Sequence, residues 1–173
     1  MKKLLLIAVV GLFLTSCDKD QKALEDIASG TWIVTELTNE DGENSFEDFT
    51  TWTGTATFDE CDQENGDCTG KMVYTATRTT QEDVGGGNTE PLIVNVDMTI
   101  NFTYSISEKG TMISVETGAS VVNSMSDFMG NTQSGTENDI CDSDCGADGT
   151  ISDDKTKISL ISDDGGTIKM EKN

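Results

Sequence analysis

Cysteines are the residues of this sequence whose type and spacing most directly suggest chemistry. Four of the five form two close pairs, Cys61 with Cys68 and Cys141 with Cys145, whereas Cys17 stands alone near the N-terminus. Thiols this close pair as disulfides in an oxidising compartment, or they bind zinc. Neither spacing is C-x2-C and the sequence contains no histidine, so the usual zinc ligand sets are missing. We therefore expect two local disulfides, Cys61–Cys68 and Cys141–Cys145, although the sequence alone allows other pairings.

The other residue types do not assemble into a catalytic set. Without histidine, neither a Ser-His-Asp triad nor a Cys-His dyad can form. Cysteines held in disulfides cannot supply a thiolate nucleophile. The 32 acidic residues bring carboxylates together by chance, and charges this numerous normally form a solvated surface. We therefore predict a protein without enzymatic activity.

One acidic stretch has oxygen ligands spaced as in a calcium-binding loop. Asp142, Asp144 and Asp148 lie two and four residues apart, and Asp153 falls where the last ligand of an EF-hand loop would lie. Ala147, however, occupies the position where that loop requires glycine for its sharp turn. Two interpretations stay open, a calcium site at these aspartates or acidic loops that only face water. No other cofactor is expected.

The N-terminus has the pattern of an export signal. Two lysines precede an apolar run, Leu4–Leu14, which is too short to cross a bilayer because a spanning helix takes about 20 apolar residues. The run ends in Leu14-Thr15-Ser16-Cys17, which resembles the bacterial lipoprotein box, where an aliphatic and two small residues precede a lipid-modified cysteine. We predict that residues 1–16 are a lipoprotein signal peptide and that Cys17 anchors the protein in a membrane.

Charge and the residues after Cys17 bear on location and partners. Asp18 and Asp20 resemble an inner-membrane retention signal of enteric lipoproteins, and also a surface-export signal of Bacteroidetes-type lipoproteins. We expect a location in the cell envelope with the lipid anchor in the outer membrane, on either the periplasmic or the surface-exposed face. A net charge of −21 repels nucleic acid, which is therefore not an expected partner.

Alternating hydrophobicity predicts β-structure from residue 30 onward, after a lipidated cysteine and a charged tether with a short helix at residues 17–29. The clearest strand is Leu92–Ile106, in which eight apolar side chains alternate with mostly polar ones. Segments 52–58 and 72–77 follow the same period. Turn signals separate the strands at Glu40-Asp41-Gly42, Glu108-Lys109-Gly110 and Asp163-Asp164-Gly165-Gly166.

One segment departs from this alternation. In Ser120–Met129 the apolar residues Val121, Val122, Met125, Phe128 and Met129 fall at helical spacing, which predicts a short amphipathic helix that covers or plugs a barrel. Core packing is the expected role of its methionines. Residues 30–173 are thus predicted to form one all-β domain with a short N-terminal helix before it.

Both ends of this domain resemble a known family. Gly30-Thr31-Trp32 follows the short helix, and two strand-like segments, 157–161 and 167–172, flank an Asp-Gly turn at the C-terminus. This arrangement resembles lipocalin-like domains, in particular the small lipocalin-like lipoproteins of Bacteroidetes-type bacteria. The resemblance implies an antiparallel up-and-down barrel of about eight strands, with Trp32 packed across the closed base as a structural residue. A β-sandwich would show the same alternation and remains the alternative fold.

The resemblance also implies a function. We expect a membrane-anchored protein that binds a small apolar or amphipathic ligand inside the barrel, and the alternative is a solid barrel that contacts a protein partner through its acidic loops. Small inward residues such as Gly54, Ala56 and Ala76 indicate either space for a ligand or a narrow barrel. A cavity open at one end favours the first function, and an interior filled by side chains favours the second.

Overall fold

Strands make up most of the chain in the computed structural model, which describes residues 19–61, 68–138 and 145–173. Residues 19–28 are helical and are called α1. Nine strands follow within the described residues. Their bounds are β1 Thr31–Thr38, β2 Thr51–Phe58, β3 Cys68–Gly85, β4 Asn88–Ser107, β5 Met112–Phe128, β6 Asn131–Asn138, β7 Gly146–Ile151, β8 Lys157–Ser162 and β9 Thr167–Lys172.

Eight of the strands close into a barrel. Their order is β4-β3-β2-β1-β9-β8-β7-β5, and β5 pairs with β4 to complete the ring. Every pairing is antiparallel, and strands consecutive in the chain are neighbours from β1 to β5 and from β7 to β9. The predicted up-and-down barrel with a short N-terminal helix is therefore confirmed, and the β-sandwich alternative is wrong.

The longest strands continue beyond the barrel. β3, β4 and β5 have 18, 20 and 17 residues, whereas β1 and β2 have eight. Their outer parts form a sheet in the order β3-β4-β5-β6, in which β6 pairs only with β5. We call this sheet, residues 78–85, 88–99, 121–128 and 131–138, the extension. The predicted strand Leu92–Ile106 is confirmed and lies wholly within β4.

The helix predicted at Ser120–Met129 is wrong, because this segment is the outer half of β5. The register between β4 and β5 shifts between the pairs Ile100↔Ser120 and Phe102↔Thr117. Such a bulge adds a residue to one strand and moves the inward-facing positions from odd to even numbers. Beyond the bulge, Val122 and Phe128 lie on the inner face of β5, whereas Val121 and Met125 lie on the opposite face. Apolar residues on both faces of the strand therefore imitate the spacing of a helix.

Side chains on the inner face fill the barrel. Phe58 makes edge-to-face contacts with Trp32, Phe102 and Tyr104, with ring centroids 5.1–5.9 Å apart. Where the inward residue is small, a neighbouring ring takes its place. A Cβ added at Gly54 would lie 2.8 Å from the Tyr74 ring, and one added at Gly70 would lie 2.3 Å from the Phe102 ring. These small residues therefore accommodate aromatic side chains.

The two ends of the barrel are covered differently. α1 covers the end that we call the base, where Ala23, Leu24 and Ile27 are at most 1% exposed. The opposite end, the mouth, is bordered by residues 39–50, which connect β1 to β2. Phe46 of this segment stacks on Trp52 with centroids 5.2 Å apart and contacts Tyr74 at 6.0 Å. The mouth is thus covered by aromatic side chains, and the extension rises beside it.

Burial of the tyrosines predicts a loss of stability at alkaline pH. Burial raises the pKa of Tyr74 to about 12, and its hydroxyl donates to the Met72 sulfur at 3.3 Å. In the unfolded chain the tyrosine loses its proton near pH 10. The contribution of the neutral Tyr74 side chain to the free energy of unfolding is therefore complete below about pH 10. As the pH rises towards 12, this residue lowers the free energy of unfolding by about 3 kcal/mol.

Denaturant unfolding at a series of pH values measures this loss. Burial, followed by the charge of Asp59, also raises the pKa of Tyr104 to about 12, so both tyrosines contribute to the slope. Tyr74→Phe keeps the ring and removes the titrating hydroxyl, and it should flatten the dependence above pH 10 by about half. An unchanged slope in this variant would contradict the assignment to Tyr74.

Candidate ligand-binding surface

The apolar inner face of β4 does not end at the mouth of the barrel. Near the mouth, Met98 and Ile100 pack against the barrel core. Farther out, Leu92, Val94 and Val96 continue the same row on the extension, where they are half-buried. The alternation that places apolar side chains inside the barrel therefore continues along β4 into the extension, which is a single sheet and does not enclose a core.

Neighbouring strands widen this surface. Val122 and Phe128 of β5 pair with Met98 and Leu92, so both share the face of the β4 row, and both are half-buried. Ser124 and Ser126 lie between them on β5, opposite Val96 and Val94. We define the inner face of the extension by its half-buried apolar residues, which are Leu92, Val94, Val96, Val122 and Phe128.

An arginine stands at the border of this surface. Arg78 of β3 pairs with Val94, and its Nε atom is buried with no hydrogen-bond partner among the described residues. An unsatisfied buried donor costs about 1–3 kcal/mol, so native structures contain few of them. Thr80, the next inner-face residue on β3, donates to the Glu82 carboxylate at 3.2 Å. The arrangement supplies a cationic donor beside an apolar surface.

This arginine is absent from the residues that the sequence singled out. It is the only arginine in a chain of 173 residues, and it falls two residues after Ala76 in a segment with a period of two. Extending that period would have placed it on the inward face. Its position opposite Val94, however, follows only from the register of β3 and β4.

The disulfide between Cys61 and Cys68 lies away from the inner face of the extension. Cys61 and Cys68 are bonded, with Cα atoms 5.3 Å apart. The Cys61 carbonyl accepts a hydrogen bond from Gln21 of α1 at 3.1 Å, so this bridge belongs to the base. Cys145 is also disulfide-bonded. Its predicted partner Cys141 lies outside the described residues, as does Cys17.

Of the four aspartates of the predicted calcium loop, the structure describes Asp148 and Asp153. Asp148 lies within β7 and accepts a hydrogen bond from Ser114, whereas Asp153 is exposed in the turn after β7. The remaining residues of β7 extend between these two carboxylates, and the structure does not bring them together. Asp142 and Asp144 lie outside the described residues. Within the described part of the chain, no group of three or more Cys, Asp or Glu residues is arranged to hold a metal.

Trp32 lies at the base of the barrel. Its side chain is fully buried, and the indole Nε1 donates to the Ile27 carbonyl of α1 at 2.9 Å. The Lys172 ammonium group lies over the ring, 5.9 Å from its centroid. The residue therefore joins the helix to the first and last strands of the barrel.

Three grooves among the described residues lie on the outside of the barrel. One of about 540 Å³ runs along the outer wall beside Lys71, Asn101 and Glu116. Another of about 510 Å³ lies beside Asp148 and Asp163, and one of about 520 Å³ lies between α1 and the turn after β7. Charged side chains line all three grooves.

Residues 19–28, the helical part of the described chain, are neither long nor apolar enough to cross a bilayer.

The surface with the most distinctive chemistry is the inner face of the extension with Arg78 at its border. Comparisons of the chain with protein-family models, with curated proteins and with solved structures gave no match.

Proposed function

We propose that this protein is a lipid-anchored, lipocalin-like binding protein of the bacterial cell envelope, and that its ligand is small and amphipathic. The ligand lies on the inner face of the extension, because aromatic side chains occupy the barrel interior. Cys17 carries the anchor, which holds the protein at the outer membrane. The resemblance of Gly30-Thr31-Trp32 to lipocalin-like domains supports the binding class.

One observation carries the proposal. Along β4 from the barrel outward, Met98 is the outermost residue of the apolar row that packs against the core. Beyond it, Val96, Val94 and Leu92 stay half-buried. Each square ångström of apolar surface removed from water contributes about 25 cal/mol, so a ligand that covers this face gains free energy from the contact. Contiguous apolar surface on a protein is typical of binding sites.

A second function is favoured by the filled barrel. A solid barrel with a net charge of −21 suits a protein that contacts a basic partner through acidic loops. The barrel interior is packed as that function requires. Contact with a basic partner through acidic loops gives no role, however, to the apolar inner face of the extension. We therefore place this function second.

Binding of a neutral fluorescent probe tests the proposal. N-phenylnaphthylamine, which fluoresces in apolar surroundings, should bind the wild-type protein saturably. Leu92→Ser removes an apolar contact from the inner face and should weaken binding about tenfold, since a buried leucine contributes about 1.5–3 kcal/mol. Ile93→Ser is the matched control, because the adjacent Ile93 points to the outer face and is 39% exposed.

The two variants separate the possible results. Weaker binding by Leu92→Ser with unchanged binding by Ile93→Ser supports the inner face as the site. Equal effects of both substitutions contradict that location. Failure of the folded wild-type protein to bind the probe at all would favour the interaction protein with acidic loops.

A further inference from the structure

The position of Arg78 beside the apolar surface indicates that the proposed ligand is negatively charged. We infer that the inner face of the extension binds a long-chain carboxylic acid, whose carboxylate pairs with the Arg78 guanidinium while its alkyl chain covers the apolar residues. This inference rests on the proposed function and specifies the class of ligand.

Among the described residues, the Arg78 guanidinium group has no acceptor for its buried Nε atom. The described ion pairs join Lys22 to Asp26, Lys157 to Glu171 and Lys169 to Glu36, and none in the described part of the chain involves Arg78. Its Nε is buried and has no hydrogen-bond partner there. Guanidinium groups keep their charge, so an acceptor from outside the chain would complete the site.

The nearest acidic side chain of the same strand face is distant and engaged. Glu82 lies four residues farther along β3, which corresponds to about 13 Å of strand. Its carboxylate already accepts a hydrogen bond from Thr80. The sequence contains 32 acidic residues and a single arginine. On the inner face of β3, however, no carboxylate lies within hydrogen-bond distance of that arginine.

Apolar side chains surround this donor. Val94 lies directly opposite Arg78, with Leu92 and Val96 on either side of it along β4. Phe128 lies opposite Leu92 on the next strand. From Val94, opposite Arg78, to Met98 the β4 row extends for about 13 Å, which accommodates an extended alkyl chain with its polar end at Arg78.

The chemistry of the site selects a carboxylate. The guanidinium fork matches the two oxygens of a carboxylate, which gives a charge-assisted bidentate contact. The net charge of −21 repels anions, and the repulsion is smallest for a singly charged group. A phosphate monoester carries more charge and is disfavoured on this acidic protein.

Displacement of N-phenylnaphthylamine by dodecanoate and by dodecanol tests the inference on the purified full-length protein. Both compounds have the same alkyl chain, and dodecanoate should bind about tenfold more tightly because of the charge-assisted contact. Arg78→Gln should remove this preference and leave dodecanol and probe binding unchanged. Lys71→Gln is the control, since Lys71 lies on the outer face of the same strand and its loss also removes one positive charge.

Each outcome has a distinct meaning. Equal affinities of the wild-type protein for dodecanoate and dodecanol overturn the inference and leave the proposed function intact. Loss of the preference in both variants assigns it to overall charge and also overturns the inference. Loss in Arg78→Gln alone, with probe binding retained as evidence of folding, supports it. Absence of probe binding in the wild-type protein overturns both proposals.

Discussion

Replacement of Trp32 by alanine is expected to lower the free energy of unfolding by about 3–5 kcal/mol, the range for a large aromatic side chain removed from a core. The substitution removes the edge contact with Phe58 at 5.9 Å and the hydrogen bond to the Ile27 carbonyl. It also opens a cavity beneath α1, because Trp32 is fully buried. Denaturant unfolding followed by circular dichroism measures the change.

Two further variants show whether the effect belongs to this position. Trp32→Phe keeps most of the ring volume and leaves the Ile27 carbonyl without its donor, so a smaller loss of about 1–3 kcal/mol is expected. Trp52→Ala alters the half-buried tryptophan at the mouth and should destabilise less than Trp32→Ala. The assignment of Trp32 as the structural residue of the base fails if Trp52→Ala is the more destabilising change.

Replacement of Cys17 by serine is expected to abolish lipid modification and to release the protein from the membrane fraction. The proposed anchor needs the Cys17 thiol, and each buried methylene group of its acyl chains contributes about 0.8 kcal/mol to membrane binding. Metabolic labelling with an alkyne analogue of palmitate, followed by cell fractionation, measures both effects.

The acidic residues after the cysteine provide the control. A variant with Asp18→Asn and Asp20→Asn keeps Cys17 and should still be labelled, although its location can change. Labelling of Cys17→Ser would refute the anchor. Protease added to whole cells then distinguishes the two faces of the outer membrane, and complete protection of the wild-type protein would rule out surface exposure.

The strands of the barrel were predictable because burial on one face imposes a period of two. That pattern identified Leu92–Ile106, and the Asp-Gly and Lys-Gly signals located the turns between strands. The place of Trp32 at the base was implied by the resemblance to lipocalin-like domains and not by this alternation. These features depend on residues close to one another in the chain.

The extension was not predictable in the same way. Alternation along β4 is identical within the barrel and beyond it, so the pattern cannot show where the ring ends. β6 has the sequence NTQSGTEN, which has no apolar face, and it becomes a strand by pairing with β5. Apolar residues on both faces of the outer half of β5, Val121 and Met125 on one and Val122 and Phe128 on the other, gave that segment the spacing of a helix. Arg78 gains its significance only from the register that places it opposite Val94.

Together with the proposed anchor at Cys17, the position of α1 at the base would set the orientation of the molecule relative to the bilayer. The first described residue of α1 is two positions after Cys17, so an acyl anchor there keeps the base near the lipid. β4, with 20 residues, runs from the base to the tip of the extension and spans some 50 Å or more. With the proposed anchor at Cys17, we expect the proposed binding surface to stand well clear of the headgroups, so that a ligand would exchange with the aqueous phase rather than by lateral diffusion within the leaflet.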